Sequence, residues 1–332
     1  MRCWVKNPLP LVCTFMSPAF AAEEFGYPED IYVLCTDSDI SRAWVPLDAK
    51  RTRIKYFAPS VRVAQRLELY GVPQKNIELT GFPLPPKNIG GAESKVVTDD
   101  LRRRICNLDP NGDFLHHNWK AVSAEIGKNY CDSIQRKRKT KVQLAFAVGG
   151  AGAQREIGAA ILKSLRREIR QGKIMVHMIA GTRPEVGKYF EDVVADLRLT
   201  KQLKKGGIHI LLEDTRQDYF DAFTKLMRKV DILWTKPSEL SFYAGLGIPI
   251  IMAPPVGSQE DFNRQWLLQA GAGFDQMDPR YVNEWLFEWV NSGALARMAW
   301  NGYTEAPTHG VYRIHDIIAG RPNTIHSLPN IV

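Results

Sequence analysis

The residues best suited to chemistry lie in short polar segments that each follow an apolar run. The first is Gly149-Gly150-Ala151-Gly152-Ala153-Gln154, after the run 144–148. Small residues there let backbone amides approach a ligand. Those amides and the positive end of a following helix would hold a diphosphate. Close packing of strand on helix would ask for the same glycines. The loop is not GxGxxG, and no acidic residue ends the next apolar run, Met178-Ile179-Ala180. A nicotinamide cofactor is therefore disfavoured. No Gly-Lys-Ser/Thr follows, so the loop is not a Walker loop either. After Ala180 comes Gly181-Thr182-Arg183-Pro184, where Pro184 suits a helix start and Arg183 could reach a phosphate.

Two further segments stand at later turns. In Thr235-Lys236-Pro237-Ser238-Glu239-Leu240-Ser241, Lys236 could pair with a phosphate. Ser238, Glu239 and Ser241 could bond sugar hydroxyls, or Ser238 could simply cap a helix. Gln259, Glu260 and Asn263 open another helix, where a carboxylate also suits the positive helix end. Acid or base candidates in the first half are Asp37 and Asp39, which serve equally well as turn formers. No metal site is expected, since His116-His117 are adjacent in an irregular stretch. No Gly-x-Ser-x-Gly elbow is present.

The elements that would position these residues follow a regular rhythm. Residues 11–15, 31–35, 53–57 and 77–80 read as strands. Ser60 caps a helix with Val63, Ala64, Leu67 and Tyr70 on one face, and Gly71 stops it. Residues 11–15 follow Met1-Arg2 and Lys6, so a leader peptide is the alternative there, although Pro8, Pro10 and Pro18 interrupt it. From 85 to 141 the pattern becomes irregular, with helices expected near 99–106 and 119–130. From 141 onward, strands at 141–148, 174–180, 208–212, 230–234 and 249–253 alternate with helices. That alternation means right-handed crossovers and parallel sheets. The expected fold is α/β, with two Rossmann-like doubly wound domains. Residues 1–140 form a partial first domain plus connector, 141–318 a second domain and 319–332 a tail.

A formal charge of +8, with 44 Lys plus Arg against 36 Asp plus Glu, suits an anionic partner. The excess gathers at Arg102-Arg103-Arg104 and Arg136-Lys137-Arg138-Lys139, read as a solvated face or a contact with an anionic membrane. No aromatics interleave with these clusters, so no nucleic acid is expected as a partner. Five cysteines without regular spacing argue for reduced thiols and a cytoplasmic location.

At these motifs the chain resembles the glycosyltransferases of the GT-B fold. The nearest branch holds the lipid II-forming N-acetylglucosaminyltransferase and the monogalactosyldiacylglycerol synthases. Members carry a Gly-Gly-x-Gly-Ala loop, a Thr-Lys-Pro-Gly-like turn, a Gly-Leu-Pro strand and a Gln-Glu-x-x-Asn helix start. Here these are similar to 149–154, 235–238, 247–249, and Gln259, Glu260 and Asn263. The likeness is good over 141–274 and fainter over 31–85. It implies a UDP-sugar donor held by the second domain and an acceptor, often a membrane lipid, on the first. It also implies no cofactor, and a peripheral place on the membrane.

Two departures stand out. The family's Gly-rich acceptor loop has no match, as though the chain began part-way through the first domain. The family's ribose-binding Glu has no clear counterpart either. Phe242 or Ala244 falls near its place, and Glu239 is the substitute. Two other readings compete: a UDP-sugar epimerase-hydrolase of the same fold, and a non-catalytic or truncated binding module.

Overall fold

The computed structural model describes residues 7–127, 131, 141–147, 152 and 154–322. Two parallel sheets organise them. The first contains β1 (Leu11–Cys13), β2 (Ile31–Leu34), β3 (Lys55–Ala58) and β4 (Ile77–Leu79), in the order β1-β2-β3-β4. Helix α1 (Met16–Glu24) joins β1 to β2, and α2 (Val61–Leu69) joins β3 to β4. Ile31, Val33, Tyr56 and Ala58 bury against Val63 and Leu67 of α2. Ser60 caps α2 by accepting from Val63 N at 3.2 Å, and Gly71, at φ +100°, ends it.

The stretch after β4 is more helical than its composition suggests. It forms α3 (Pro86–Ile89), α4 (Lys95–Leu108) and α5 (Asp113–Ile126). Leu101, Ile105 and Leu108 of α4 share a face and enter the core of the second sheet with Phe114, Val122 and Ile126 of α5. The charges between them hide this periodicity in the sequence.

Those charges correct one expectation. Arg102-Arg103-Arg104 is not a free basic face. Arg104 is fully buried and donates to the carbonyls of Val230 (2.8 Å), Leu246 (2.6 Å) and Met227 (2.5 Å). Arg103 pairs with the buried Asp231, and Arg102 with Asp99 at 2.7 Å. A guanidinium offers five donors, enough to satisfy carbonyls that helix ends leave open. The second basic cluster, 136–139, lies outside the described residues.

The second sheet has the order β10-β9-β8-β5-β6-β7. The chain runs β5 (Val142–Ala147), α6 (Arg155–Ser164), α7 (Arg166–Arg170), β6 (Ile174–Gly181), α8 (Pro184–Asp196), α9 (Thr200–Lys204), β7 (Ile208–Leu212) and α10 (Arg216–Met227). It then returns to the other side of β5 through β8 (Ile232–Thr235), a 3-10 turn (Glu239–Leu246), β9 (Ile250–Met252), α11 (Ser258–Gln269) and β10 (Gly273–Asp275). Strand order therefore reverses between β5 and β8, which opens a crevice at their carboxyl ends. Helices α12 (Val282–Asn291) and α13 (Ala294–Glu305) close the domain, and α14 (Gly310–Ile318) crosses back to the first sheet. There Ile314 packs on Tyr32 and Phe57.

The two domains also meet through Phe82, which stacks on Phe242 (4.4 Å) and meets Trp266 edge-on (5.2 Å). These are two Rossmann-like parallel α/β domains in the GT-B arrangement.

The cysteines depart from expectation. Cys106 on α4 is disulfide-bonded to Cys131, while Cys13 and Cys35 are free and buried. A separation of 25 residues gives no sign of pairing; the fold brings the two Cα atoms to 5.3 Å. Among the described residues no helix is long and apolar enough to cross a membrane.

Candidate functional site

Three turns meet at the crevice where strand order reverses. Of the loop after β5, Gly149, Gly150, Ala151 and Ala153 lie outside the described residues. Gly152 has φ +72° and Gln154 φ +66°, the left-handed backbone that a tight strand-to-helix turn requires. Gln154 Nε2 donates to Pro254 O at 2.8 Å and so ties this loop to the one after β9.

A cavity of about 390 Å³ opens beside it. Gly181, Thr182 and Arg183, at the end of β6, form one wall. Arg216, Tyr219, Phe220 and Phe223 of α10 form another, and Glu239, Leu240 and Tyr243 of the 3-10 turn a third. Phe223 meets Tyr243 perpendicularly at 5.4 Å and Tyr219 at 5.7 Å. Burial pushes the Tyr219 phenol up to about 12, with the Glu239 carboxylate adding to it. Burial raises Tyr243 as well. Both hydroxyls therefore remain protonated near neutrality. A flat aromatic box with a cationic and an anionic rim suits a nucleoside better than an aliphatic ligand.

The α10 and 3-10 walls escaped the sequence reading except at Glu239. Phe220 and Phe223 stand at helical spacing in the sequence, and such spacing shows a face without showing what lies opposite it.

The rest of the crevice is polar. Lys236, after β8, is ion-paired with Glu260 at the start of α11, and Glu260 Oε2 also accepts from Val256 N at 2.7 Å. Pro237 is buried, and Ser238, partly exposed, donates its backbone N–H to Lys236 O at 2.8 Å. Gln259 and Asn263 do not face open space. Both hold residues 37–41 of the first domain. Gln259 Nε2 donates to Asp39 O (2.6 Å), and Gln259 Oε1 accepts from Ser41 N (3.3 Å). Asn263 Oδ1 accepts from Ser38 N and Ser38 Oγ, each at 2.8 Å, and its Nδ2 donates to Asp37 Oδ1 at 2.8 Å.

The two acidic candidates separate in this setting. Asp39 is 1% exposed, accepts from Arg66 Nε (3.1 Å) and lies 3.5 Å from Arg62. Its charge is spent in a structural cluster. Asp37 has no cationic partner among the described residues. Burial pushes its carboxyl up to about 6; the Asn263 bond opposes this, and Glu239 and Glu260 reinforce it. Glu239 lines the aromatic cavity, and its negative charge, with that of Glu260, also raises Asp37. A carboxyl poised near 6 can accept a proton at neutral pH. Among the described residues no group of three or more His, Cys, Asp or Glu could hold a metal ion.

A family model described as a domain of unknown function, DUF6938, matches residues 108–275. The chain belongs to this family. The matched stretch carries every turn of the crevice that the second domain supplies. No curated protein matches. Among solved structures, the chain is similar to a putative UDP-N-acetylglucosamine 2-epimerase from Listeria monocytogenes, with TM-score 0.55, 14% identity, and coverage of 97% of this chain and 75% of that one. It is also similar to a UDP-GlcNAc 2-epimerase from Neisseria meningitidis bound to UDP-GlcNAc, with TM-score 0.51, 13% identity, and coverage of 95% and 76%. A glycosyltransferase from Rickettsia africae aligns with TM-score 0.45, 12% identity, and coverage of 97% and 85%. These likenesses are of fold.

Proposed function

We propose that this protein binds a nucleoside diphosphate sugar, UDP-linked, and transfers its sugar to an acceptor hydroxyl with Asp37 as base. The observation that carries this is an aromatic, Arg-rimmed cavity at the strand-order reversal, with Glu239 on its wall. The buried Asp37, held by Asn263 at the start of α11, supplies a carboxyl raised to about 6. The Neisseria meningitidis structure contains UDP-GlcNAc, which supports UDP as the nucleotide.

In this reading the base stacks among Tyr219, Phe223 and Tyr243. The diphosphate meets Thr182, Arg183, the turn at Gly152 and Gln154, and Lys236, and the sugar points toward Glu239, Glu260 and Asp37. Asp37 takes the acceptor's proton, the acceptor oxygen bonds the anomeric carbon, and the bond from that carbon to the diphosphate oxygen breaks. Amides, Arg183 and Lys236 stabilise the departing UDP without a metal ion.

The acceptor would be a lipid, met peripherally at a cytoplasmic membrane face. The net charge of +8 supports this, whereas Arg102 to Arg104 do not, being spent inside the fold. A second reading, epimerisation or hydrolysis of the same donor, draws on the three carboxylates Asp37, Glu239 and Glu260 around one crevice.

The first experiment is thermal unfolding with UDP. Millimolar UDP should raise the melting temperature, and Arg183→Ala with Tyr219→Ala should remove the gain. An unchanged melting curve for the native protein would refute the proposal. Product analysis with UDP-sugars then separates transfer from epimerisation.

A further inference from the structure

We infer that Asn263 is a positioning residue for Asp37 and that, together with Gln259, it forms the latch closing the two domains over the crevice. The inference rests on the reading of Asp37 as base and goes beyond it, because these two amides are then not ligands of the sugar.

Three observations support it. The first is orientation. Asn263 Oδ1 faces two donors, Ser38 N and Ser38 Oγ, and Nδ2 faces a carboxylate oxygen. Flipping the amide would set N–H against N–H and oxygen against oxygen, so the network admits one rotamer. The second is burial. Asn263 is 0% exposed, so no sugar hydroxyl reaches it while the domains are closed. The third is spacing. Gln259 and Asn263 are four residues apart on α11 and therefore share a face. That face bonds four residues of one loop in the first domain, Asp37, Ser38, Asp39 and Ser41, through backbone and side-chain groups. Ser60 Oγ donates to Ser38 O at 3.2 Å and ties the gripped loop to α2.

The consequence is a coupling between closure and chemistry. Asn263 makes its bond to Asp37 only when α11 and the loop after β2 are together. The closed form alone then holds the base at a fixed angle to the donor side. Asn263 of α11 touches Asp37, while the charges of Glu239 in the 3-10 turn and Glu260 of α11 act on it from further off, and Cys35 lies two residues before it. The positioning amide is thus the favourable neutral contact among acidic ones.

Two variants test this in the full chain. Asn263→Asp keeps an acceptor for Ser38 but replaces the donor to Asp37 with a like charge. The Asp37 midpoint, read by carboxyl carbon NMR and assigned with Asp37→Asn, should rise by about one pH unit. An unmoved midpoint would overturn the positioning role. The double variant Gln259→Ala/Asn263→Ala should expand the protein in small-angle scattering and speed amide exchange at Ser38 and Ser41. Unchanged scattering and exchange would overturn the latch. Neither readout needs turnover, so both stand apart from failure of the functional reading. Where turnover is found, Asn263→Asp should lower kcat and leave the affinity for UDP-sugar near native. Weakened UDP-sugar binding with native UDP binding would instead make Asn263 a sugar ligand and overturn the inference.

Discussion

Asp37 and Asn263, 226 residues apart, share a 2.8 Å hydrogen bond that joins the first domain's β2 end to the second domain's α11. Burial holds Asp37 protonated up to about 6, well above the usual 3.8. The folded state therefore favours the neutral acid. Its contribution to stability is present at low pH and is lost as pH rises through about 6. At pH 7.5 the ionised group strains the fold. Asp37→Asn is expected to raise stability by about 1–3 kcal/mol in urea unfolding at that pH. The same change should abolish turnover, and native kcat/KM should rise as pH passes through about 6. A variant that is less stable than native at pH 7.5 would contradict this account.

Lys236 is neutralised by Glu260. A phosphate must compete with that carboxylate for the ammonium. Lys236→Met should weaken UDP binding by about tenfold, the scale of one charge-assisted contact. Glu260→Gln removes the competitor and should tighten it. Calorimetric titration with UDP reads both, and opposite directions are the signature.

His177 and His209 sit opposite each other on β6 and β7, with their Nδ1 atoms 3.4 Å apart, and His177 Nε2 lies 3.0 Å from Gln143 Oε1. Burial, then His209 and Lys229, depress His177 to about 3. The native state keeps it neutral, so stability held above pH 6.5 falls as the pH drops below it. The loss at pH 5 should be about 2 kcal/mol. His177→Gln should flatten that dependence in urea midpoints measured from pH 7 to 5.

Arg104 bonds three carbonyls from two segments of the second domain, 227–230 and the end of the 3-10 turn, and is completely buried. Arg104→Met removes the donor to all three; Val230 O keeps Arg103 at 3.4 Å, while Met227 O and Leu246 O lose their side-chain partner. The expected cost is about 3–5 kcal/mol in chemical denaturation. Arg104→Lys should recover only part, because an ammonium cannot reach three carbonyls in one plane.

Gly310 lies where α14 crosses to the first domain. A Cβ there would stand 2.2 Å from Gly81 O and 2.6 Å from the Phe82 carbonyl carbon, both backbone. Neither can swing aside. Gly310→Ala should push α14 off the first sheet and lower stability by about 2 kcal/mol or more. Faster amide exchange at Gly310, which donates to Phe82 O at 3.0 Å, would report the displacement.

Legibility followed local signal. Ser60 and Gly71 marked the ends of α2, and alternating apolar runs marked the strands of both sheets except β10, whose three residues Gly273-Phe274-Asp275 are too few to show a period. Helices α4 and α5 begin at Lys95 and Asp113, before the expected 99 and 119, and Arg102 to Arg104 read as surface. Nothing local shows that a guanidinium will turn inward to meet open carbonyls. The aromatic wall of the cavity shows in the sequence only as apolar residues at helical spacing.

What the sequence determined by itself was the set of elements, their parallel arrangement and the three turns that end beside one another. Short-range propensity and periodicity encode those things. Tertiary structure alone decided the partners. It set Gln259 and Asn263 on the first domain's loop, separated Asp37 from the ion-paired Asp39, and joined Cys106 to Cys131. Each of these depends on which distant surface a side chain meets and how much water that surface removes. Burial and long-range contact are properties of the packed chain and have no local signature.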